Sequence, residues 1–153
     1  MDLEIQQLDF VTAYLNSDLD EYILAEQIKG FKQGPLDANS KPKKVYQLKK
    51  GLYGLKQSAR QWYKKCATKL KKLGFRPLPS DDAVFIRGKS LTDSIVITLY
   101  VDDLTIFGKD INKINQLKQD LRIEFELNDL GDIAYYLGLK VRRNRAARTI
   151  TLS

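Results

Sequence analysis

The chain of 153 residues has the size of one domain, and its 43% hydrophobic composition suffices for a single packed core. Lys and Arg number 26 against 19 Asp and Glu, a net charge of +7 that favours a polyanionic partner. The absence of histidine removes the commonest zinc chemistry, the lone Cys66 excludes an intrachain disulfide, and no apolar run approaches the ~20 residues of a membrane span.

A reduced, intracellular setting without a membrane partner is expected, because the acidic amino end does not resemble a secretory signal either. The charge is segregated. From Lys41 to Arg76 there are 13 basic residues and no acidic one, whereas the first 40 residues carry 8 acids and only Lys29 and Lys32 as bases. Such segregation suits a strand of phosphates lying beside an acidic, cation-binding cluster.

Leu3 to Phe10 reads as a short strand with Asp9 near its carboxyl end. Asp18, Asp20 and Glu21 follow in a polar turn or single helical turn, read as solvated surface, and Tyr22 to Gln27 reads as another strand. Residues 28–44, with Gly30, Gly34, Pro35 and Pro42, form the longest loop. It is expected to project from one domain, since flanking pieces of about 30 and 110 residues would not both hold a core. Val45 to Leu48 reads as a brief strand, and Lys49 to Ser58 as a basic, glycine-bearing turn. Ser58 then caps a helix in which Trp62, Cys66, Leu70 and Leu73 recur at helical spacing up to Gly74. Trp62 reads as a core anchor. The outer face of that helix, Arg60, Lys64, Lys65, Lys69, Lys71 and Lys72, is either a solvated surface or a phosphate contact.

After Pro77 and Pro79, Ala83 to Ile86 reads as a strand placed to pair with the segment the rest of the chain is organised around, Ser94 to Gly108. That segment is two apolar, β-branched strands joined by a tight turn, with Asp102 and Asp103 at its tip. Two readings of the pair stand side by side: ordinary turn formers, or hard oxygen ligands for magnesium that also meet substrate phosphates. Asp110 caps a second helix with the stripe Ile114, Leu117, Leu121 and Phe125, and Ile133 to Val141 and Thr149 to Leu152 read as strands joined by the basic turn Arg142 to Arg148. The order of elements predicts an α+β fold, an antiparallel-rich sandwich with two helices packed on one face. If the strands carrying Asp9 and Asp102 are neighbours, three carboxylates converge in the manner needed for nucleotidyl transfer with two divalent cations ~4 Å apart.

These residues resemble the reverse transcriptase of copia-type long-terminal-repeat retrotransposons. The blocks are Gln7 to Glu21, Lys50 to Tyr63, Tyr100-Val101-Asp102-Asp103, Phe125 to Gly131, and Tyr136 to Leu139, five in family order. The resemblance implies an RNA-directed DNA polymerase working on an RNA template, a DNA primer and deoxynucleoside triphosphates, with two Mg2+ ions or Mn2+ as substitute, in the context of a Pol polyprotein. Residues 1–153 would be its palm, a palm-like antiparallel sheet, with fingers and thumb largely missing because the chain starts almost at Asp9 and stops at Ser153. It would work in the cytoplasm, a virus-like particle or the nucleus.

By the same resemblance Asp9 and Asp102 are the principal metal ligands and Asp103 tunes or completes the site. Tyr14 lies beneath the sugar and excludes a ribose 2′-hydroxyl, while Thr12 and Ala13 offer backbone amides to the triphosphate. Gln57 touches the incoming nucleotide, and Lys56 and Arg60 meet primer or template. Tyr100 and Val101 lie under the primer end, which a hairpin of Tyr136, Leu137 and Gly138 holds. Phe10 and Val11 depart from the usual valine and lysine after the first aspartate. Two other readings compete: a retroelement remnant that binds nucleic acid without chemistry, and a small RNA-binding module in which Gly51-Leu52-Tyr53-Gly54 is a KH-type loop.

Overall fold

The computed structural model describes residues 2–35, 37–39, 44–90 and 93–153. The chain folds as two compact units, one formed by residues up to Ala13 and from Lys65 onward, the other by Tyr14–Lys64.

The first unit is built on a six-stranded antiparallel sheet. Its strands are β1 (Glu4–Phe10), β4 (Arg76–Leu78), β5 (Asp81–Arg87), β6 (Ile95–Tyr100), β7 (Asp103–Gly108) and β8 (Leu127–Asp132), in the order β4-β5-β6-β7-β1-β8. The expected hairpin of β6 and β7 is the centre of this sheet, and β1 docks on its open side, with Leu8 opposite Leu104 and Asp9 opposite Asp103. β4 and β8 were not expected as strands. Each is an edge strand that owes its form to a partner: Pro77 is tolerated at the outside of β4 because an edge residue there needs no donor to a further strand, and β8 exists by pairing with β1.

Residues opposite one another in register share a face, and alternate residues swap faces. Phe85, Ile97 and Ile106 form one fully buried row, Leu99, Leu104 and Leu8 the next. α2 (Ile111–Arg122) covers that face with Ile114, Leu117 and Leu121, all fully buried, and Asp110 caps it by accepting from the amides of Asn112 (2.9 Å) and Lys113 (3.4 Å). The carboxyl-terminal half of α1 (Lys56–Lys72) packs beside α2: Lys69 pairs with Glu124 at 3.6 Å and Lys65 lies over the Phe125 ring, whose edge meets Phe10. The α+β class, the antiparallel sheet and the two helices therefore stand as expected.

Within the α2 stripe one buried residue is a lysine. Lys118 is 4% exposed, and its Nζ donates to Gln6 Oε1 at 2.8 Å and to Asp129 Oδ1 at 2.7 Å. Partial burial pushes the Asp129 carboxyl up, but hydrogen bonds from Lys118 and the Gly131 amide outweigh it and leave the group below its ordinary range. Cys66 is sealed in the same core. Burial first, then the Glu124 charge, pushes its thiol up to about 12. The native protein is therefore expected to be inert to Ellman's reagent at pH 8 and to release one equivalent of thionitrobenzoate only in denaturant. Prompt reaction of the folded chain would refute that packing.

The run expected as one strand over Ile133 to Val141 is broken. β9 (Tyr135–Tyr136) turns through Leu137 and Gly138, both at positive φ (48° and 85°), into β10 (Leu139–Asn144). β10 then pairs with β11 (Thr149–Leu152), so Arg142 to Asn144 lie in a strand and only residues 145–148 form the turn.

In the second unit β2 (Asp18–Ala25) pairs with β3 (Tyr46–Lys50). Asp18, Asp20 and Glu21 thus belong to a strand, not to the turn expected there, because cross-strand pairing decides an acidic segment that local preference leaves open. The loop expected over 28–44 falls partly outside the described residues. Buried Gln27 ties its two sides by donating to the carbonyls of Gln33 (3.0 Å) and Lys44 (2.7 Å). α1 begins at Lys56, two residues before the expected cap. Ser58 is inside the helix, fully buried, and its hydroxyl accepts from the Leu52 amide at 2.8 Å. Trp62 is buried, 1% exposed, as a core anchor should be.

Candidate active site

Four strands of the first unit carry one row of polar side chains. Tyr100 of β6 is opposite Asp103 of β7, Asp103 is opposite Asp9 of β1, and Asp9 is opposite Asn128 of β8. Strand alternation sets this row on the face turned away from Leu99, Leu104 and Leu8, so the carboxylates lie on the side of the sheet that the helical core does not cover. Asp102 stands at the end of the row, in the two-residue turn between β6 and β7, and its carbonyl accepts from the Phe10 amide at 2.8 Å. The strand ends of β1 and of the hairpin are thereby held together at the acids.

Electrostatics reports the same clustering. The Asp103 carboxyl is raised, by partial burial first and then by the charges of Asp102 and Asp9. Asp9 is held from its other side by Asn128, whose Nδ2 donates to Asp9 Oδ2 at 3.2 Å. Asn128 was not singled out from sequence. It sits in the block from Phe125 to Gly131, but only the pairing of β8 with β1 gives it a meaning.

Two β-branched residues flank the acids in the left-handed region, Thr12 at φ 52° and Val101 at φ 54°. A β-branched side chain crowds its own backbone there, at a cost on the order of 1–3 kcal/mol, and strain of that kind persists where neighbouring structure over-determines the backbone. Val101 occupies the first position of the turn, where glycine is the ordinary choice. Ala13 is buried and Thr12 exposed just past the end of β1. Among the described residues no three His, Cys, Asp or Glu side chains stand together as a ready metal cage.

The hairpin of Tyr136, Leu137 and Gly138 belongs to the same unit but to a separate three-stranded sheet, so it shares no ladder with the acids. Both turn residues at positive φ make it a tight two-residue connection, with Leu137 exposed at its tip.

Tyr14, Lys56, Gln57 and Arg60 lie in the second unit. The Tyr14 ring packs on Tyr53, centroids 4.5 Å apart. Its carbonyl accepts from the Ser17 hydroxyl at 2.8 Å and abuts Gly51, where an added Cβ would fall 2.7 Å from that oxygen. Gly51 is thus buried against Tyr14, Ser17 and Ser58, while Leu52, Tyr53 and Gly54 of the same segment are exposed. Gln57 donates to Glu21 at 3.0 Å, Asp18 pairs with Lys50 at 2.7 Å, and Asp20 meets Lys64 at 3.9 Å. The acids are exposed, as read, and also pair at the surface with side chains of the basic segment. Lys56 and Arg60 are exposed on α1.

The register thus places two acids, Asp9 and Asp103, side by side on the sheet face away from α2, with Asp102 in the adjoining turn. The chain belongs to the reverse transcriptase (RNA-dependent DNA polymerase) family, whose sequence pattern it matches over residues 1–153. It is 42% identical over 153 residues to the retrovirus-related Pol polyprotein from transposon TNT 1-94 of Nicotiana tabacum, covering all of this chain and 11% of that protein. To the Pol polyprotein from transposon RE1 of Arabidopsis thaliana it is 34% identical over 141 residues, 91% of this chain and 9% of the relative. A transposon Ty5-1 protein of Saccharomyces cerevisiae is 34% identical over 146 residues, 95% of this chain and 45% of that protein. The chain therefore corresponds to the reverse transcriptase portion of a copia-type Pol polyprotein, and it spans about a tenth of the plant polyproteins it matches. No solved structure is matched significantly.

Proposed function

We propose that this domain is the polymerase palm of an RNA-directed DNA polymerase, adding deoxynucleotides to the 3′-hydroxyl of a DNA primer on an RNA template. The observation that supports it best is the row in which Asp103 and Asp9 face one another across adjacent strands with Asp102 in the adjoining turn. Divalent cations are the natural counter-charge for these groups. Carboxylate oxygens are hard donors, burial first and then the charges of Asp102 and Asp9 raise Asp103, and magnesium is ordinarily held by one or two carboxylates together with substrate phosphates, so a complete protein cage is not required. Bound magnesium, or manganese in its place, would supply activation of the attacking hydroxyl and neutralisation of the leaving pyrophosphate.

The side chains have separable tasks. Asp9, Asp102 and Asp103 hold negative charge where the triphosphate and primer end must meet. Thr12 and Ala13, past the end of β1, offer backbone amides to the phosphates. Tyr100 and Val101 lie at the hairpin tip under the primer end, and Tyr136, Leu137 and Gly138 form a hairpin that grips the primer. In the second unit Tyr14 excludes the 2′-hydroxyl, Gln57 touches the nucleotide, and Lys56 and Arg60 meet the nucleic-acid backbone. The rest of a Pol polyprotein and an intracellular site of action, cytoplasmic, nuclear or within a virus-like particle, go with this reading.

The test is extension of a labelled DNA primer on an RNA template with magnesium or manganese. Extension that disappears in Asp102→Asn supports the reading. Template binding without extension in both proteins would replace it with the binding remnant. Tyr14→Val is expected to raise ribonucleotide incorporation relative to deoxynucleotide by about 10-fold or more, because a pocket discriminates against an added hydroxyl only through what it collides with. An unchanged sugar preference would remove Tyr14 from that role.

A further inference from the structure

We propose that Asn128 is a positioning residue for Asp9: its side-chain amide fixes the carboxylate in the orientation in which Asp9 meets a divalent cation. The proposal rests on the reading of Asp9 as a cation ligand. Asn128 is directly opposite Asp9 in the β1–β8 ladder, at the end of the row that begins with Tyr100 and Asp103. A carboxylate only accepts, so the amide presents its Nδ2, 3.2 Å from Asp9 Oδ2. That bond engages one carboxylate oxygen and opposes free rotation of the group. Being neutral, the donor orients Asp9 without cancelling the charge a cation needs, which a lysine in its place would do.

The support behind Asn128 is itself built. The next residue, Asp129, points to the helical side of β8, where Lys118 holds it at 2.7 Å and Arg122 at 3.4 Å, and the Gly131 amide donates to it at 3.1 Å. Strand alternation then sends Asn128 to the opposite face, toward Asp9. Buried Lys118 thus pins the strand that presents Asn128. Groups that hold a ligand from behind change metal affinity about 10- to 100-fold when removed.

The experiment is titration of the full chain with Mn2+ alone, followed by the electron paramagnetic resonance of free manganese, for the wild type, Asp9→Asn, Asn128→Ala and Asn128→Gln, each checked by thermal unfolding. Expected are loss of binding in Asp9→Asn, at least tenfold weaker binding in Asn128→Ala with an unchanged melting temperature, and partial recovery in Asn128→Gln, which keeps an amide donor. Wild-type affinity in Asn128→Ala, with binding lost in Asp9→Asn, would overturn the positioning role alone. Binding that survives in Asp9→Asn would overturn the cation reading and the proposal with it, and no binding by the wild type at millimolar manganese would overturn the proposal, which needs Asp9 oriented for a cation in the free chain. A loss in Asn128→Ala that tracks loss of folded protein would make Asn128 merely structural.

Discussion

Asp9→Asn is expected to lower nucleotide addition on the order of 10³-fold while leaving the fold at least as stable as before. Loss of a single preorganised electrostatic partner commonly costs 10²–10³ in rate, and Asp9 is the acid that faces Asp103 and is held by Asn128. Stability should move the other way. Asp103 is raised by burial first, then by the Asp102 charge and least by Asp9, so a neutral amide at position 9 relieves a small repulsion inside the sheet. Primer extension and urea denaturation on the same preparations separate the two effects. An inactive variant that is also strongly destabilised would mean that Asp9 serves the fold, and an active variant would remove it from the chemistry.

Ile106→Ala is the substitution expected to cost most in stability, about 3–4 kcal/mol in urea, within the range for truncating a buried isoleucine. Ile106 is fully buried on a central strand, in register with Ile97 on one side and Gln6 on the other, under the face that α2 covers. A domain that is stable by only 5–15 kcal/mol loses a large part of its margin. Ile106→Val, which removes one methyl, is expected to cost about 1 kcal/mol. Because Ile106 points away from the face that carries Asp103, the folded fraction of either variant should keep its nucleotide and cation binding per molecule. A cost below 1 kcal/mol for the alanine variant would show that the core collapses around the gap.

What could be read beforehand was carried by strong local patterns. The hairpin from Ser94 to Gly108 is β-branched on both sides of a two-residue turn, so its strands follow from local preference, but the tip is Val101-Asp102, and Asp103, expected there with Asp102, is already the first residue of β7. The α2 stripe and the Asp110 cap are equally explicit at helical spacing. Ser58 misled because a serine before a helical run can cap it or, as here, turn its hydroxyl back to a preceding amide. Lys118 was missed because an apolar stripe at helical spacing says nothing of the polar partner waiting across the sheet at Gln6. β8 was missed for a similar reason: Leu127 to Asp132 is too polar to announce a strand, and becomes one only because β1 has a free edge beside it.

By itself, then, the sequence determined the two carboxylate-bearing strands, the helices and the family blocks, all of which depend on neighbours within a few residues. It could state that three acids would converge only on the condition that two strands far apart in the chain were neighbours. Tertiary structure met that condition by setting Asp9 opposite Asp103, and it added Asn128, strained Thr12 and Val101, and the Lys118 support beneath them. Register between distant strands is set by which apolar face is buried against α2, a global packing outcome that no local window of residues contains.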